Sequence, residues 1–265
     1  MMADMDLRLH GQRALVHAAS TGLGYAVAEA LATEGARVAI TSHDGRAPDA
    51  AARLAADTGG EVHGITADVA DLGSLTDAFA QALDRLGGLD VLFNNAGGPP
   101  VGGLEDLDED AWARGYQLTL MSVVRSVRLA LPAFREAGGG RVLTSLSSSV
   151  KAPIPNLLLS NVYRPALVGL IKSLAIELAP HRVQVVGIAP GRIATDRTRQ
   201  LDEAAAARTG RSFEEVRAAS IANIPMGRLG EPAEYGRVAA FLCSPVAAYV
   251  NGSVVLVDGG AIRAL

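Results

Sequence analysis

The chain has 265 residues, 49% of them hydrophobic, and 24 Lys and Arg against 28 Asp and Glu give a formal charge of −4. That is ample material for a sizeable core, and the acidic balance, with no run of Lys or Arg, argues against nucleic acid or an anionic membrane as partner. The one cysteine, Cys243, excludes an internal disulfide framework and, between apolar neighbours, reads as a buried thiol in a reducing compartment.

No apolar run is long enough to span a bilayer, and the start, Met1 to His10, carries Asp4 and Asp6 where a signal peptide would be basic and then apolar. The expected location is the cytoplasm.

In chain order, Ala14-Leu15-Val16 predicts a strand, the small residues from His17 to Gly24 a tight turn, and Leu23, Val27 and Leu31, four apart, a helix. Gly35 stops that helix, and Val38 to Thr41 is a second strand. Pro48 and Asp49 open a helix ending near Gly59-Gly60, and Val62 to Thr66 is a third strand. Asp71 is placed to cap a helix from Leu72 to Leu86, before a fourth strand from Asp90 to Phe93. After the loop 97–103, a long helix starts at Asp108 to Asp110, carries Trp112, Tyr116 and Val123, and runs to about Phe134, ended by Gly138-Gly139-Gly140. Val142 to Leu146, Val183 to Ile188 and Val254 to Val257 are strands five to seven, with a helix over 158–179. A helical excursion with a capping box from Ser212 to Glu215, and a helix after Pro232, fill the remaining gap.

Strands joined by helical crossovers run parallel with helices on both faces, so the expected fold is α/β, one Rossmann-type domain over 1–265. It is a doubly wound, seven-stranded parallel sheet in three α/β/α layers. Ligands of such sheets bind beyond the carboxyl ends of the strands, where strand order reverses. The turn 17–24 is then a dinucleotide cradle: small residues allow backbone to approach a pyrophosphate, and the following helix presents free N–H groups and its positive dipole end. The same small residues also suit close packing of helix on strand.

Several stretches together resemble the classical short-chain dehydrogenase/reductase family, and most closely its 3-oxoacyl carrier-protein reductase-like members. They are the turn, Asn94-Asn95-Ala96-Gly97, the serines 145 to 149, Ser173-Leu174-Ala175, Ala189-Pro190-Gly191, Pro225-Met226-Gly227-Arg228 and Val257-Asp258-Gly259-Gly260. The resemblance covers about residues 7–262. It implies a nicotinamide cofactor, a small carbonyl or alcohol substrate, a helical substrate lid at about 192–224, and commonly a homotetramer. It carries cofactor contact onto Ala18, Ser20, Thr21, Gly22, Leu23, Gly24, Ser42, His43, Asp68, Val69, Asn95, Ala96, Gly97, Arg164, Pro190, Gly191 and Ile193.

The departures are informative. His17 and Ala18 stand where the family has Thr and Gly. The position that reports cofactor choice is Ser42, with no carboxylate to repel a 2′-phosphate; this favours NADP, and Asp44 nearby keeps NAD open. Among the catalytic places, Ser147 keeps the family's serine, Ser160 replaces its tyrosine, Arg164 its lysine and Thr119 its asparagine. Arg164, four residues after Ser160 on one helix face, is a permanent cation able to reach the ribose hydroxyls. A serine hydroxyl is a far weaker acid than a phenol, which makes Tyr163, three residues after Ser160, the best surviving proton donor; a packing role for it is the other reading. Ser147 either orients the substrate carbonyl or caps the strand end. Asp68 either meets the adenine amino group or caps its own turn.

The five histidines are dispersed, so no metal site is expected. Leu157, Leu158 and Leu159 suit an apolar pocket, core or a subunit interface. Arg192, Arg197 and Arg199 are either a solvated helix face or partners for an acidic or phosphorylated substrate group. The expected protein is an NAD(P)-dependent oxidoreductase with a non-standard active site. The alternative is an NAD(P)-binding protein with a sensor, partner-subunit or non-redox lyase or dehydratase role.

Overall fold

In the computed structural model, which describes residues 6–264, seven parallel strands form one sheet in the order β3-β2-β1-β4-β5-β6-β7. The strands are β1 (Arg13–Val16), β2 (Arg37–Ser42), β3 (Val62–Thr66), β4 (Val91–Asn94), β5 (Gly140–Ser145), β6 (Val183–Pro190) and β7 (Val254–Val257). The acidic start around Asp4 lies outside the described residues. Helices α1 (Gly22–Thr33), α2 (Ala47–Thr58) and α9 (Pro232–Cys243) pack with one face of the sheet around Val27, Leu31, Ile40 and Leu54. On the other face α3 (Leu72–Leu86), α5 (Ser122–Glu136) and α6 (Leu158–Leu178) bury Leu75, Phe79, Phe134, Leu167 and Ile171. With both faces covered, the central strands are buried over most of their length, and the edge strands β3 and β7 are mostly half-buried.

Local chemistry sets the boundaries. Asp71 accepts from the Ser74 N–H at 2.7 Å to start α3, and Gly87 ends it at φ +71°. Asp108 accepts from the Ala111 N–H at 2.7 Å to start α4 (Glu109–Tyr116), and Ser212 with Glu215 forms the capping box of α8 (Phe213–Ala222).

Several boundaries differ from the sequence expectation: β1, β2 and β6 are longer by one or two residues. The fourth strand is Val91–Asn94, because Asp90 leaves the ladder to receive Arg13 Nε and Nη2, each at 2.8 Å. The fifth begins two residues early, at Gly140, and ends at Ser145. The long helix is not uniform: a π-helical segment, Gln117–Met121, separates α4 from α5, so an extra residue enters the turn that contains Thr119.

The strand order reverses between β1 and β4, and the crevice there is where an open α/β sheet receives its ligand. Over the carboxyl ends of β6 and β7 lie α7 (Asp196–Thr209) and α8, tied to the chain before them by Asp202. This carboxylate is 2% exposed and is held by Arg192 and by Arg217 Nε at 3.3 Å.

Candidate active site

The turn leaving β1 hangs between two neighbouring strands: the His17 N–H donates to the Phe93 carbonyl at 3.1 Å, and the Ala19 N–H to the Thr41 carbonyl at 2.8 Å. Ala18 lies at φ +48° and Gly22 at +64°, so the backbone takes a left-handed path at two places. For Gly22 that is unstrained; for Ala18 it costs about 1 kcal/mol. Asn95 Nδ2 donates to the Ala18 carbonyl at 3.2 Å and holds the turn from the β4 side. A Cβ on Gly24 would come within 2.4 Å of the Ala18 carbonyl oxygen, which fixes glycine where α1 crosses the turn.

Thr21 makes no side-chain cap, so the first-turn N–H groups of α1 are open, with Ser20 buried and Leu23 half-buried beside them. A Cβ on Gly22 would meet only Thr195 Cγ2, at 3.9 Å, and one on Gly97 would meet nothing within 4 Å. An open, donor-rich cradle of this kind fits a dinucleotide pyrophosphate.

His17 lies beneath the turn. It is 1% exposed, with Nδ1 3.1 Å from Thr41 Oγ1, Nε2 3.3 Å from Ser126 Oγ and its ring tilted on Phe79 at 5.6 Å. Burial lowers its pKa to about 4, so it is neutral at physiological pH and packs under the cradle.

Ser42 ends β2 buried, with His43 exposed beside it. Arg46, a residue that the motif reading passed over, donates from Nε to Asp44 Oδ2 at 2.5 Å. That hydrogen bond holds the Asp44 carboxyl well below the usual carboxylate range. Asp68 is exposed and accepts from the Ala70 N–H at 2.9 Å, and Val69 is buried next to it.

At the ends of β4 and β5 the structure gathers a small polar cavity of about 10 Å³, lined by His17, Asn94, Thr119, Ser126, Ser145 and Arg164 together with Val69, Asn95 and Ala96. It is sized for one water molecule, not a substrate. Arg164, 8% exposed, turns into this cavity and donates from Nη1 to the Ser145 carbonyl at 2.5 Å. Burial lowers its pKa to about 10, which leaves it cationic at neutral pH. Its Nε, Asn94 Oδ1 and Thr119 Oγ1 are buried with no hydrogen-bond partner among the described residues. The sequence shows no sign of this convergence, because Thr119 is turned inward by the π-helical segment and Asn94 by the end of β4.

The serines meet outside that cavity. Ser147 Oγ accepts from the Ser149 N–H at 3.1 Å, and Ser149 Oγ lies 3.2 Å from Ser160 Oγ. Ser160 is thus buried against the Ser149 hydroxyl, and Ser149 joins it to Ser147 through its backbone N–H.

Tyr163 is elsewhere. Its hydroxyl donates to the Trp112 carbonyl at 3.1 Å, and its ring packs edge-on against Trp112 and tilted against Tyr116, in a satellite cluster with Leu159. This corrects the expectation that Tyr163 is the surviving acid: three residues along the helix rotates it away from Ser160 onto α4. Partial burial raises its pKa, which further disfavours proton donation.

At the end of β6, Pro190 and then Gly191 lead to Ile193, which is buried and bridges to Gly230. A Cβ on Gly191 would strike the Asp258 backbone at 2.6 Å, which explains glycine there. Cys243 is buried, with its thiol pushed up to about 12 by burial, and takes no part in the site. Among the described residues no group of His, Cys, Asp and Glu could hold a metal, and no helix is long and apolar enough to cross a membrane.

A doubly wound sheet with an open helix terminus at its switch point defines a dinucleotide-binding α/β protein. Comparison with known proteins narrows this. Residues 17–261 match the family model described as enoyl-(acyl carrier protein) reductase. The chain is 34% identical over 262 residues to dehydrogenase/reductase SDR family member 4 of Bos taurus, covering 97% of this chain and 89% of that one. Its fold superposes with a TM-score of 0.93, at 29% identity, on the L-sorbose reductase of Gluconobacter frateurii complexed with NADPH and L-sorbose, covering 98% and 100% of the two chains. It also superposes with a TM-score of 0.87, at 30% identity over 97% and 99%, on an NADPH-bound short-chain oxidoreductase of Pseudomonas aeruginosa PAO1 described as containing an atypical catalytic centre. The chain belongs to the short-chain dehydrogenase/reductase family and is an oxidoreductase.

Proposed function

We propose that the protein is an NADPH-dependent oxidoreductase interconverting a carbonyl and an alcohol, with Ser160 and Arg164 in place of the family's tyrosine and lysine. The observation that carries this is the cradle itself: left-handed backbone at Ala18 and Gly22, an uncapped α1 and nothing facing Gly97. The NADPH in the sorbose reductase and in the Pseudomonas oxidoreductase supports the same cofactor here. NADP is preferred over NAD because Ser42 offers no carboxylate to a 2′-phosphate, and the nearby Asp44 carboxylate is paired with Arg46.

When bound, the nicotinamide nucleotide supplies or accepts the hydride. Gly22, Leu23 and Gly24 would receive its pyrophosphate, and Ser42, His43, Asp68 and Val69 its adenosine half. Asn95, Ala96, Gly97, Pro190, Gly191 and Ile193 would border the nicotinamide half. Ser147 and Ser160 donate hydrogen bonds that orient the substrate carbonyl, while the fixed charge of Arg164 beneath stabilises negative charge developing there. Thr119 and Arg164 Nε leave room for a water to relay a proton, the place the family gives to its asparagine.

None of these groups is an acid titrating near neutrality, so turnover of a simple ketone falls roughly a hundred to ten thousand fold short of a site with a tyrosine. The substrate that suits the site carries its own acidity. We further propose a homotetramer through the long helices, where Tyr116, Val162 and Ile176 are exposed; light scattering of the purified protein tests it.

The test of function is a screen of carbonyls and alcohols with both nicotinamide nucleotides, repeated with Ser147→Ala. Turnover above background that drops in the variant supports the reading. Tight nucleotide binding with no turnover replaces it by a sensor, partner-subunit or lyase role.

A further inference from the structure

Three arginines follow Pro190-Gly191, and they have different fates. Arg192 is bound to the buried carboxylate of Asp202, and Arg199 lies 3.4 Å from Glu203 and 4.0 Å from Asp196 on the exposed face of α7. Arg197 has no carboxylate within ion-pair distance among the described residues.

The Arg197 guanidinium crosses instead to the loop after β4. Its Nη2 donates to the Pro99 carbonyl at 3.4 Å, and a Cβ on Gly98 would come within 2.5 Å of that nitrogen and 2.9 Å of Cζ. Glycine at 98 is what lets the guanidinium lie flat there. The residue is exposed as a whole, but its head is partly desolvated, which lowers its pKa, and its charge also depresses that of Arg164. Two cations therefore act on one region with no acidic side chain paired to either.

The pyrophosphate is not the natural counter-ion for Arg197. Thr195, two residues earlier, faces Gly22 of the cofactor turn. Arg197 lies instead against the loop that is stitched through Gly102 to Leu157, just before the helix of Ser160 and Arg164. That loop continues directly from Asn95, Ala96 and Gly97, which on the reading above border the nicotinamide half, where a substrate must come to react.

We propose that Arg197 is a specificity-determining residue that receives an anionic group of the substrate, a carboxylate or phosphate, so that the protein acts on oxo acids or phosphorylated carbonyls in preference to neutral ones. The inference rests on the oxidoreductase reading above and names its substrate class. A guanidinium fork pairs with a carboxylate or phosphate through two parallel N–H···O bonds, and such charge-assisted bonds form best in a partly desolvated cleft.

The experiment uses oxo acids from acetoacetate to 4-oxopentanoate, each beside its methyl ester, and dihydroxyacetone phosphate beside dihydroxyacetone. It reads kcat/KM with saturating NADPH and, separately, the Kd of each compound for the NADPH-loaded protein. The wild type is expected to prefer the anion of each pair, and Arg197→Met to lower the anion-over-neutral ratio roughly 10- to 150-fold, as loss of a charged hydrogen-bonded pair implies. Arg197→Lys should restore part of it. A larger effect on the acids marks a carboxylate as the group held, and a larger effect on the phosphate pair marks a phosphate.

An unchanged ratio, or a loss of NADPH affinity as large as the loss of anion affinity, overturns the proposal. Binding that discriminates anion from ester without any turnover supports Arg197 and sinks the oxidoreductase reading. Turnover with no preference for anions does the reverse.

Discussion

The two sides of the crevice have departed from the family pattern in different ways. On the β1 side the changes are His17, which packs beneath the turn, and one methyl group at Ala18, which occupies a left-handed position at φ +48°, while Gly22 and Gly24 and the hydrogen bond from Asn95 keep the turn in place. On the α6 side the proposed change is chemical: Ser160, in contact with Ser149, would stand for a phenol, and Arg164, a guanidinium buried against the Ser145 carbonyl, for a lysine. On the proposed reading, nucleotide binding and proton transfer sit on separate elements and are free to diverge separately. A chain of this kind keeps its cradle while its chemistry is retuned.

The sharpest way to break that contrast is to rebuild the α6 side alone. Ser160→Tyr combined with Arg164→Lys is expected to raise NADPH-dependent reduction of simple ketones by about a hundredfold or more. The check is initial rates alongside melting temperature and NADPH affinity. A folded, NADPH-binding double variant with no gain would show that the missing acid is not what limits the site.

A second effect belongs to the β1 side. His17 is neutral and buried with a pKa of about 4, against 6.5 when unfolded. Between those values the unfolded chain binds more protons, so stability is fully present above pH 6.5 and is lost as pH falls toward 4, by about 3 kcal/mol. Urea unfolding across that range should show the loss, and His17→Gln should lack that component.

Tyr163→Phe is expected to remove about 1 kcal/mol of stability, from the bond to the Trp112 carbonyl, while changing kcat by less than about twofold. A large fall in kcat at unchanged KM would return Tyr163 to the reaction. The smallest effect is Ala18→Gly, which relieves the left-handed strain and should raise the melting temperature by about 2–4 °C, less whatever the freer unfolded chain takes back.

The architecture was readable from residues because it is written in local chemistry. Asp71 and Gly87 bracket α3 at the expected residues, and the apolar run Val254–Val257 is the half-buried edge strand paired with β6. What escaped the reading was set by tertiary partners. Nothing in Gln117–Met121 announces a π-helical segment, and with it the inward turn of Thr119. Helical spacing placed Tyr163 near Ser160, but the carbonyl that takes its hydroxyl comes from α4. Arginine is long enough to reach either a ribose or the sheet end, and only the position of the Ser145 carbonyl decides for Arg164. The three arginines after Gly191 look alike in the sequence; Asp202, buried between α7 and α8, separates Arg192 from Arg197.

The claim beneath all of this is that the turn after β1 holds a dinucleotide pyrophosphate, and calorimetric titration with NADPH and NADH tests it most directly. The account predicts saturable one-to-one binding, tighter for NADPH. It also predicts weakening in Gly24→Ala, whose Cβ would press on the Ala18 carbonyl oxygen at 2.4 Å. No heat and no thermal shift with either nucleotide at millimolar concentration would contradict it.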